Sequence, residues 1–476
     1  MKRILILLLI IAFSASMMVM GAGCKEGAIE EAVEDAVEAV EDAVEAVEET
    51  AEEVEETMED KEPITITVWD WQAGSAFDDA LVEVNALYNS MYPHVTIDRT
   101  AYSVNEFEEV IKTGIQSDTL PDLFGLYQGA QMEEVYMTGI LYTGWEDAIN
   151  ADAEWKANIG KNFGIGGTKA EDGTILATSY DLFYITTFGY RNVLEAMGSS
   201  EEEVKSLTSY SELGDLTQKF KADGHDTFFL AAGLISLHQL QELFFNWAYS
   251  MTGDFDTPRN AEFSRDGVKW TDEAFIVAAD AVRETRRMMR DDAQALDAQM
   301  DSYAIWLNQE SWGHWYNGPW ATGILLDNEL ALENCFSFFK PKIHPDALEN
   351  TWPADAGQVL CMEANNPNME EVLQYAKFLA TPEVSEIFMG YLIHPFGKFP
   401  DGWQDRTDII ENDAARGLYN EMVAQYEMSN VGPWITYVPE IRQALFDNLA
   451  EVYRGNITSE EGMANVQAVT DDYWGN

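Results

Sequence analysis

PITITVWDWQAGSAFDDALVEVNALYNSMYPHVTIDRTAYSVNEFEEVIKTGIQSDTLPDLFGL, residues 63–126, decides the fold. Ile64, Ile66 and Val68 alternate with Thr65, Thr67 and Trp69, the period of a strand. Phe77, Leu81, Val84 and Leu87 then recur at helical spacing over 76–91, and Pro93 stops that helix. Val95 and Ile97 mark a second strand. Ser103 with Glu106 predicts a capping box opening a helix whose apolar face is Phe107, Val110, Ile111 and Ile115. Pro121 closes that helix and Leu123-Phe124 begin a third strand. The order β-α-β-α-β predicts a mostly parallel sheet with helices on both faces. Such sheets bind ligands beyond the carboxyl ends of their strands, which places loops 70–75 and 125–131 at a site.

Toward the C-terminus the pattern becomes more helical, with segments near 201–222, 237–251 and 271–290. Strands return at 335–343 (CFSFFKPKI) and 357–362. Asn368 with Glu371 predicts another helix cap, Thr381-Pro382 opens a further helix, and 412–476 reads as helix. This alternation predicts a chain that crosses more than once between two bodies.

Upstream of Pro63 lie an address label and a spacer. Lys2 and Arg3 precede an apolar run from Ile4 to Phe13 that is too short to span a bilayer. Met20-Gly21-Ala22-Gly23-Cys24 follows and resembles the lipobox of bacterial lipoproteins, with Gly21 where that motif has a branched apolar residue. The resemblance implies a signal peptide over 1–23 and lipidation of Cys24; an ordinary signal peptide cut nearby is the plainer reading. Residues 24–62 carry 18 acids and 2 bases. Val37, Val40, Val44, Val47, Ala51, Val54 and Met58 step by threes and fours, a heptad seam. Acid would face acid in a self-assembled coil, so a single self-repelling helical tether is expected, up to roughly 48 Å long. An oligomerising stalk is the alternative.

The charge balance narrows the function. The chain has 84 acidic against 28 basic residues, a net charge of −56. Such a surface repels nucleic acid and anionic membranes, so neither is an expected partner. Counterions would screen the self-repulsion in salty surroundings. Length, with 46% apolar and 12% aromatic residues, suffices for two bodies with cores. Besides Cys24 the chain holds Cys335 and Cys361; outside the cytoplasm they are either bridged or two buried free thiols.

Four stretches together resemble the family 1 extracellular solute-binding proteins, relatives of the maltose-binding protein. They are TITVWDW (65–71), YPHVTIDRTAYSVNEFEEVIKTGIQSDTLPDLFGL (92–126), YNGPWATG (316–323), and the run from Gly357 through EEVLQYAKFLATPEVSE (370–386). Their order matches the family, and the resemblance covers 63–476. It implies an α/β, two-lobed periplasmic-binding-protein fold (type II) with a hinge of crossing strands and a ligand cleft between the lobes. Lobe 1 is expected at 63–180 plus 340–394, and lobe 2, richer in helix, at 181–339 plus 395–476. The implied function is an extracytoplasmic receptor, membrane-anchored through Cys24 and with a monomeric body. It captures a sugar or oligosaccharide, closes on it, and delivers it to the transmembrane permease of an ABC importer.

Sugars present C–H faces to aromatic rings and hydroxyls to donors and acceptors in a desolvated cleft. On that chemistry and the resemblance, the candidate ligand contacts are Trp320 in NGPW; Asp70 and Trp71 after the first strand; Tyr127, Gln128 and Gln131 after the third. Tyr180 and Asp181 are added near the first crossing, Glu242 and Phe244 in ELFFNW, and Trp403 and Trp434 in later loops. For each aromatic, burial in a core is the competing reading. Asp122 reads as a structural cap. Scattered His residues without zinc spacing, and the lack of GxSxG, Walker or Rossmann motifs, point to no metal, cofactor or catalytic residue. A secreted carbohydrate-active enzyme and a surface adhesin or sensor using the stalk are the alternatives.

Overall fold

The computed structural model describes residues 62–225, 237–254, 256–289, 299–308, 315–428, 430–432 and 436–475. The expected signal peptide, Cys24, the expected tether up to Lys61, and Trp434 lie outside the described residues. Backbone packing divides the chain into two compact units, Met1–Thr65 with Asn89–Thr96, and Ile66–Tyr88 with Ile97–Asn476. In the first, the Ile64 N–H donates to the His94 carbonyl at 2.8 Å and the Val95 N–H to the Tyr92 carbonyl at 2.9 Å. The second carries the chemistry.

The predicted β-α-β-α-β run is present as β1 (Ile64–Asp70), α1 (Ala76–Met91), β2 (Val95–Ala101), α2 (Val104–Ser117) and β3 (Leu123–Gly125), followed by α3 (Ala130–Met137). Alternation in β1 buries Ile66 and Val68, and α1 turns Phe77, Leu81 and Val84 inward. Ser103 departs from expectation. It sits at the N-cap of α2, but its hydroxyl reaches the Glu106 carboxylate at 2.8 Å and not the backbone. Complete capping boxes form instead at Ser209–Glu212 and Thr458–Glu461.

Next come β4 (Thr178–Ser179), β5 (Leu182–Tyr184) and β6 (Thr186–Tyr190), then helices α4 (Tyr210–Ala222), α5 (Leu237–Thr252) and α6 (Glu273–Met288). The chain continues through β7 (Trp315–Asn317), a 3-10 segment (Pro319–Asp327), β8 (Cys335–Phe338), β9 (Thr351–Ala356) and β10 (Val359–Met362). It ends with α7 (Met369–Phe378), α8 (Pro382–Gly390), α9 (Asp413–Met428), β11 (Asn430–Gly432), α10 (Pro439–Arg454) and α11 (Ser459–Trp474).

Three sheets form among the described residues, ordered β2-β1-β3-β10-β4, β11-β9-β5 and β7-β6-β8. β1 and β3 are parallel and β10 runs antiparallel to both β3 and β4, so the five-stranded sheet is mixed, with β1, β3 and β4 pointing one way and β10 against them. β10, late in the chain, inserts between β3 and β4.

One core lies among α4, α5, α6, α10 and α11 with Phe336 and Phe338 of β8. A second lies under the five-stranded sheet, where Phe77 meets Tyr180 and Phe388 at ring separations of 5.9 and 6.2 Å. Asp122 is structural, as read: its carboxylate accepts from the Thr67 N–H (2.8 Å) and from Asn368 Nδ2 (3.2 Å). Asn368 therefore ties to Asp122 and does not cap α7 with its side chain. Cys335 and Cys361 are both buried free thiols, in different sheets.

Candidate functional site

Two antiparallel strand runs pass from the five-stranded sheet to the central one. Val359 and Leu360 of β10 face Ser179 and Thr178 of β4, and Leu182, Phe183 and Tyr184 of β5 face Ala356, Asp355 and Ala354 of β9. The passage lies at Tyr180-Asp181 on one run and Gly357-Gln358 on the other.

Asp181 holds this crossing together. Its carbonyl accepts from the Gly357 N–H at 2.9 Å and its carboxylate from the Gln358 N–H at 2.7 Å. A Cβ at Gly357 would run into the Asp181 carboxylate, so glycine is required there. A third strand of chain joins in: the Leu182 N–H donates to the His394 carbonyl and the Phe396 N–H to the Tyr180 carbonyl, each at 2.9 Å. Burial pushes the Asp181 carboxyl up to about 7, against the lowering effect of the Gln358 N–H. Tyr180 is 2% exposed and its hydroxyl has no hydrogen-bond partner among the described residues.

Aromatic and polar groups gather around the crossing. Trp71, just beyond β1, stacks on Tyr127, just beyond β3, with centroids 4.7 Å apart and planes at 20°. Gly125 allows this, because a Cβ there would lie 2.8 Å from the Trp71 ring. Gln131 accepts from the Tyr127 N–H through Oε1 at 2.7 Å, while its Nε2 is buried with no partner among the described residues. The Gln128 amide donates to the Ala356 carbonyl and, at 3.1 Å, to that of Gly357.

Asp355 accepts from the Gly167 N–H (2.5 Å) and its neighbour's Ala356 N–H (2.8 Å) through Oδ1, and its Oδ2 is buried and unpartnered among the described residues. Burial pushes its carboxyl up to about 6. Gln358, 1% exposed, has neither amide atom satisfied among the described residues. On the central sheet Phe183 is the cross-strand partner of Asp355, so their side chains share a face. The Trp320 ring stacks on Phe183, centroids 5.0 Å apart and planes at 15°. Trp320 is half-buried against the helical core.

α5 and α10 complete the surround. Glu242 and Asn246 stand one turn apart on α5, hence on one face. Both are buried, and Glu242 Oε2 and both Asn246 amide atoms lack partners among the described residues. Burial raises the Glu242 carboxyl well above its ordinary range, while the nearby Lys340 opposes that. Gln241 Nε2 reaches Thr436 Oγ1 at 3.3 Å, and the Thr436 carbonyl accepts from the Ala130 N–H at 2.8 Å. Glu262 Oε1 accepts from the Tyr437 and Val438 N–H groups at 2.7 and 2.6 Å, which fixes the entry to α10. Arg442 of α10 lies near Tyr127 and Glu108. Burial pulls its guanidinium below its ordinary value, and those two groups push the other way.

Several expected contacts sit elsewhere. Asp70 is 1% exposed and its carboxylate takes two hydrogen bonds from Arg99, at 2.5 and 2.9 Å. Arg99 also pairs with Asp78 at 2.6 Å. Asp70 is thus engaged in a buried ion pair. Phe244 is fully buried between Phe275, Phe245 and Trp270, with no ring face left for a ligand, so that expectation is corrected. Trp403 stacks on Phe399 at 4.8 Å and lines a separate cavity of about 410 Å³ with Lys161, Leu182 and His394. That cavity holds none of Trp71, Tyr127, Gln128 or Trp320.

Asp355, Gln358, Asn246 and Arg442 were missed in the sequence. Asp355 and Gln358 flank the crossing glycine in DAGQ, a weak cue in a chain with 84 acids. Among the described residues no group of His, Cys, Asp and Glu is placed to hold a metal ion. None of the described helices is long and apolar enough to cross a membrane.

No protein-family model matches the chain, and no curated protein matches it. Solved structures do. A chitin oligosaccharide binding protein superimposes with a TM-score of 0.68 at 15% identity, covering 87% of this chain and 100% of its own. An ABC substrate-binding protein from Listeria monocytogenes in complex with cycloalternan gives 0.66 at 12%, covering 87% and 100%. An ABC transporter solute binding protein from Thermotoga lettingae bound with α-D-tagatose gives 0.66 at 15%, covering 85% and 99%. These likenesses show the fold, which is α/β and two-lobed as in periplasmic binding proteins.

Proposed function

We propose that this chain is the extracytoplasmic solute receptor of an ABC importer, binding a sugar or oligosaccharide and passing it to the permease. One observation carries the reading. At the crossing of β4–β5 with β9–β10, two stacked aromatic pairs, Trp71–Tyr127 and Trp320–Phe183, lie beside buried polar atoms on Gln131, Asp355 and Gln358 that have no partner among the described residues. A buried group left unmade costs about 1–3 kcal/mol. A polyol supplies those bonds while its C–H face lies on a ring.

Lobe 1 is then 63–180 with 340–394, and lobe 2 is 181–339 with 395–476, moving about the crossing. The reading includes a signal peptide over 1–23, a lipid on Cys24, the tether over 24–62, a monomeric body and no turnover. Fold likeness to sugar-bound ABC receptors supports the ligand class. A thermal-shift screen of the full chain against neutral and acidic mono- and oligosaccharides tests it. At least one should raise the melting temperature by several degrees, in proportion to the logarithm of its concentration above Kd. A flat response across the panel overturns the proposal.

A further inference from the structure

Carboxylates outnumber cations threefold in this chain, so an arginine near the site without a carboxylate is a notable state. Arg99, Arg191, Arg259, Arg265, Arg283, Arg287, Arg406, Arg416 and Arg454 all form ion pairs, and Arg286 donates to the Arg454 carbonyl. Arg442 does neither among the described residues. It is half-buried, and the face of Phe446 lies 5.2 Å from its guanidinium carbon. Glu108, the acid that acts on it, spends its carboxylate on Lys112 at 2.8 Å.

Position gives this arginine a use. α10 packs against α3, whose Gln131 holds Tyr127 through Oε1 and leaves Nε2 buried and unmatched among the described residues. Arg442 stands in the first turn of α10 and acts electrostatically on Tyr127, just ahead of α3, whose ring lies on Trp71. A guanidinium fork and an amide NH2 beside a stacking platform are donors without acceptors among the described residues. Together they match an anionic oxygen group attached to a ring that stacks. Neutral polyols need no guanidinium there, and the negative field of the body would repel any anion that lacked a specific cation to receive it.

Resting on the reading above, we infer that the ligand is an acidic saccharide, whose carboxylate or sulfate is received by Arg442 and Gln131 while its ring lies against the Trp71–Tyr127 pair.

The test is a matched panel, read by thermal shift and calorimetry on the full chain. Glucose, galactose and galactobiose are the neutral arm; glucuronate, galacturonate and digalacturonate carry the carboxylate; galactose 6-sulfate carries the sulfate. An acidic member should bind at least ten-fold tighter than its neutral counterpart, and the arm that does so identifies the anion. Arg442→Gln should abolish that preference by weakening the acid on the order of 10- to 100-fold, leave the neutral counterpart within about three-fold, and Arg442→Lys should restore part of the loss. If Arg442→Gln does not fold, the native panel decides. Neutral sugars binding as well as or better than their acids overturns this inference and leaves the receptor reading standing. A panel in which no saccharide binds overturns both.

Discussion

Replacing Asp181 by Asn separates the charge of the crossing from its geometry. The Asn carbonyl keeps an acceptor for the Gln358 N–H, 2.7 Å away in the native protein, while the ionisable proton disappears. Burial raises the folded carboxyl from 3.8 to about 7, so the native state holds a proton that the unfolded chain has released. Stability contributed by this group is therefore fully present below about pH 4 and is lost as pH climbs to about 7. Each tenfold change in proton affinity is about 1.4 kcal/mol, which sets a ceiling of about 4 kcal/mol above pH 7. Urea unfolding of both proteins, read from pH 4 to 8.5, gives the difference curve. Self-repulsion and the other buried acids cancel in that difference. Asp181→Asn should match the native protein near pH 4, gain on it through the window, and level off above pH 7. A difference that ignores pH, or a variant less stable at pH 8, refutes the burial argument.

Phe244→Ala should cost about 3–5 kcal/mol of unfolding free energy with sugar affinity unchanged in the folded fraction; a variant of native stability would mean its ring is not core. Trp320→Ala removes one stacked pair, worth about 0.5–1.5 kcal/mol to the unliganded protein, and should weaken sugar binding more than ten-fold by calorimetry. Stability and affinity falling by the same free energy would mean the ring only packs. Asp70→Asn leaves Arg99 short of its buried partner and should destabilise by about 3 kcal/mol or more, seen in the same urea melts; a change under 1 kcal/mol would free Asp70 for another role.

The opening βαβαβ run was legible because each element carries its own period and its own stop. Trp71 and Tyr127 could be placed together for the same reason: both follow strands whose ends converge. What escaped depends on long-range pairing. Arg99 claims Asp70 from the neighbouring strand, 29 residues on, and nothing near either residue announces it. Phe244 reads like a site aromatic because core and site stripes share helical spacing. Ser103 shows the limit of local motifs: the right residues at the right spacing chose a direct side-chain bond over the box. Asp355 and Gln358 gained meaning only when β9 met β5 and β10 met β4, which put DAGQ opposite Asp181.

A receptor that closes on its ligand must move about that crossing. Val82 on α1 and Leu330, in the short helix Glu329–Asn334, are exposed at 64% and 60% and accept spin labels through cysteine substitutions. Native Cys335 and Cys361 are buried and stay unlabelled. Pulsed spin-label distances, taken with and without a saccharide that raises the melting temperature, should shift to a shorter and narrower distribution on saturation. An unchanged distribution at full occupancy would contradict a receptor that closes on its ligand.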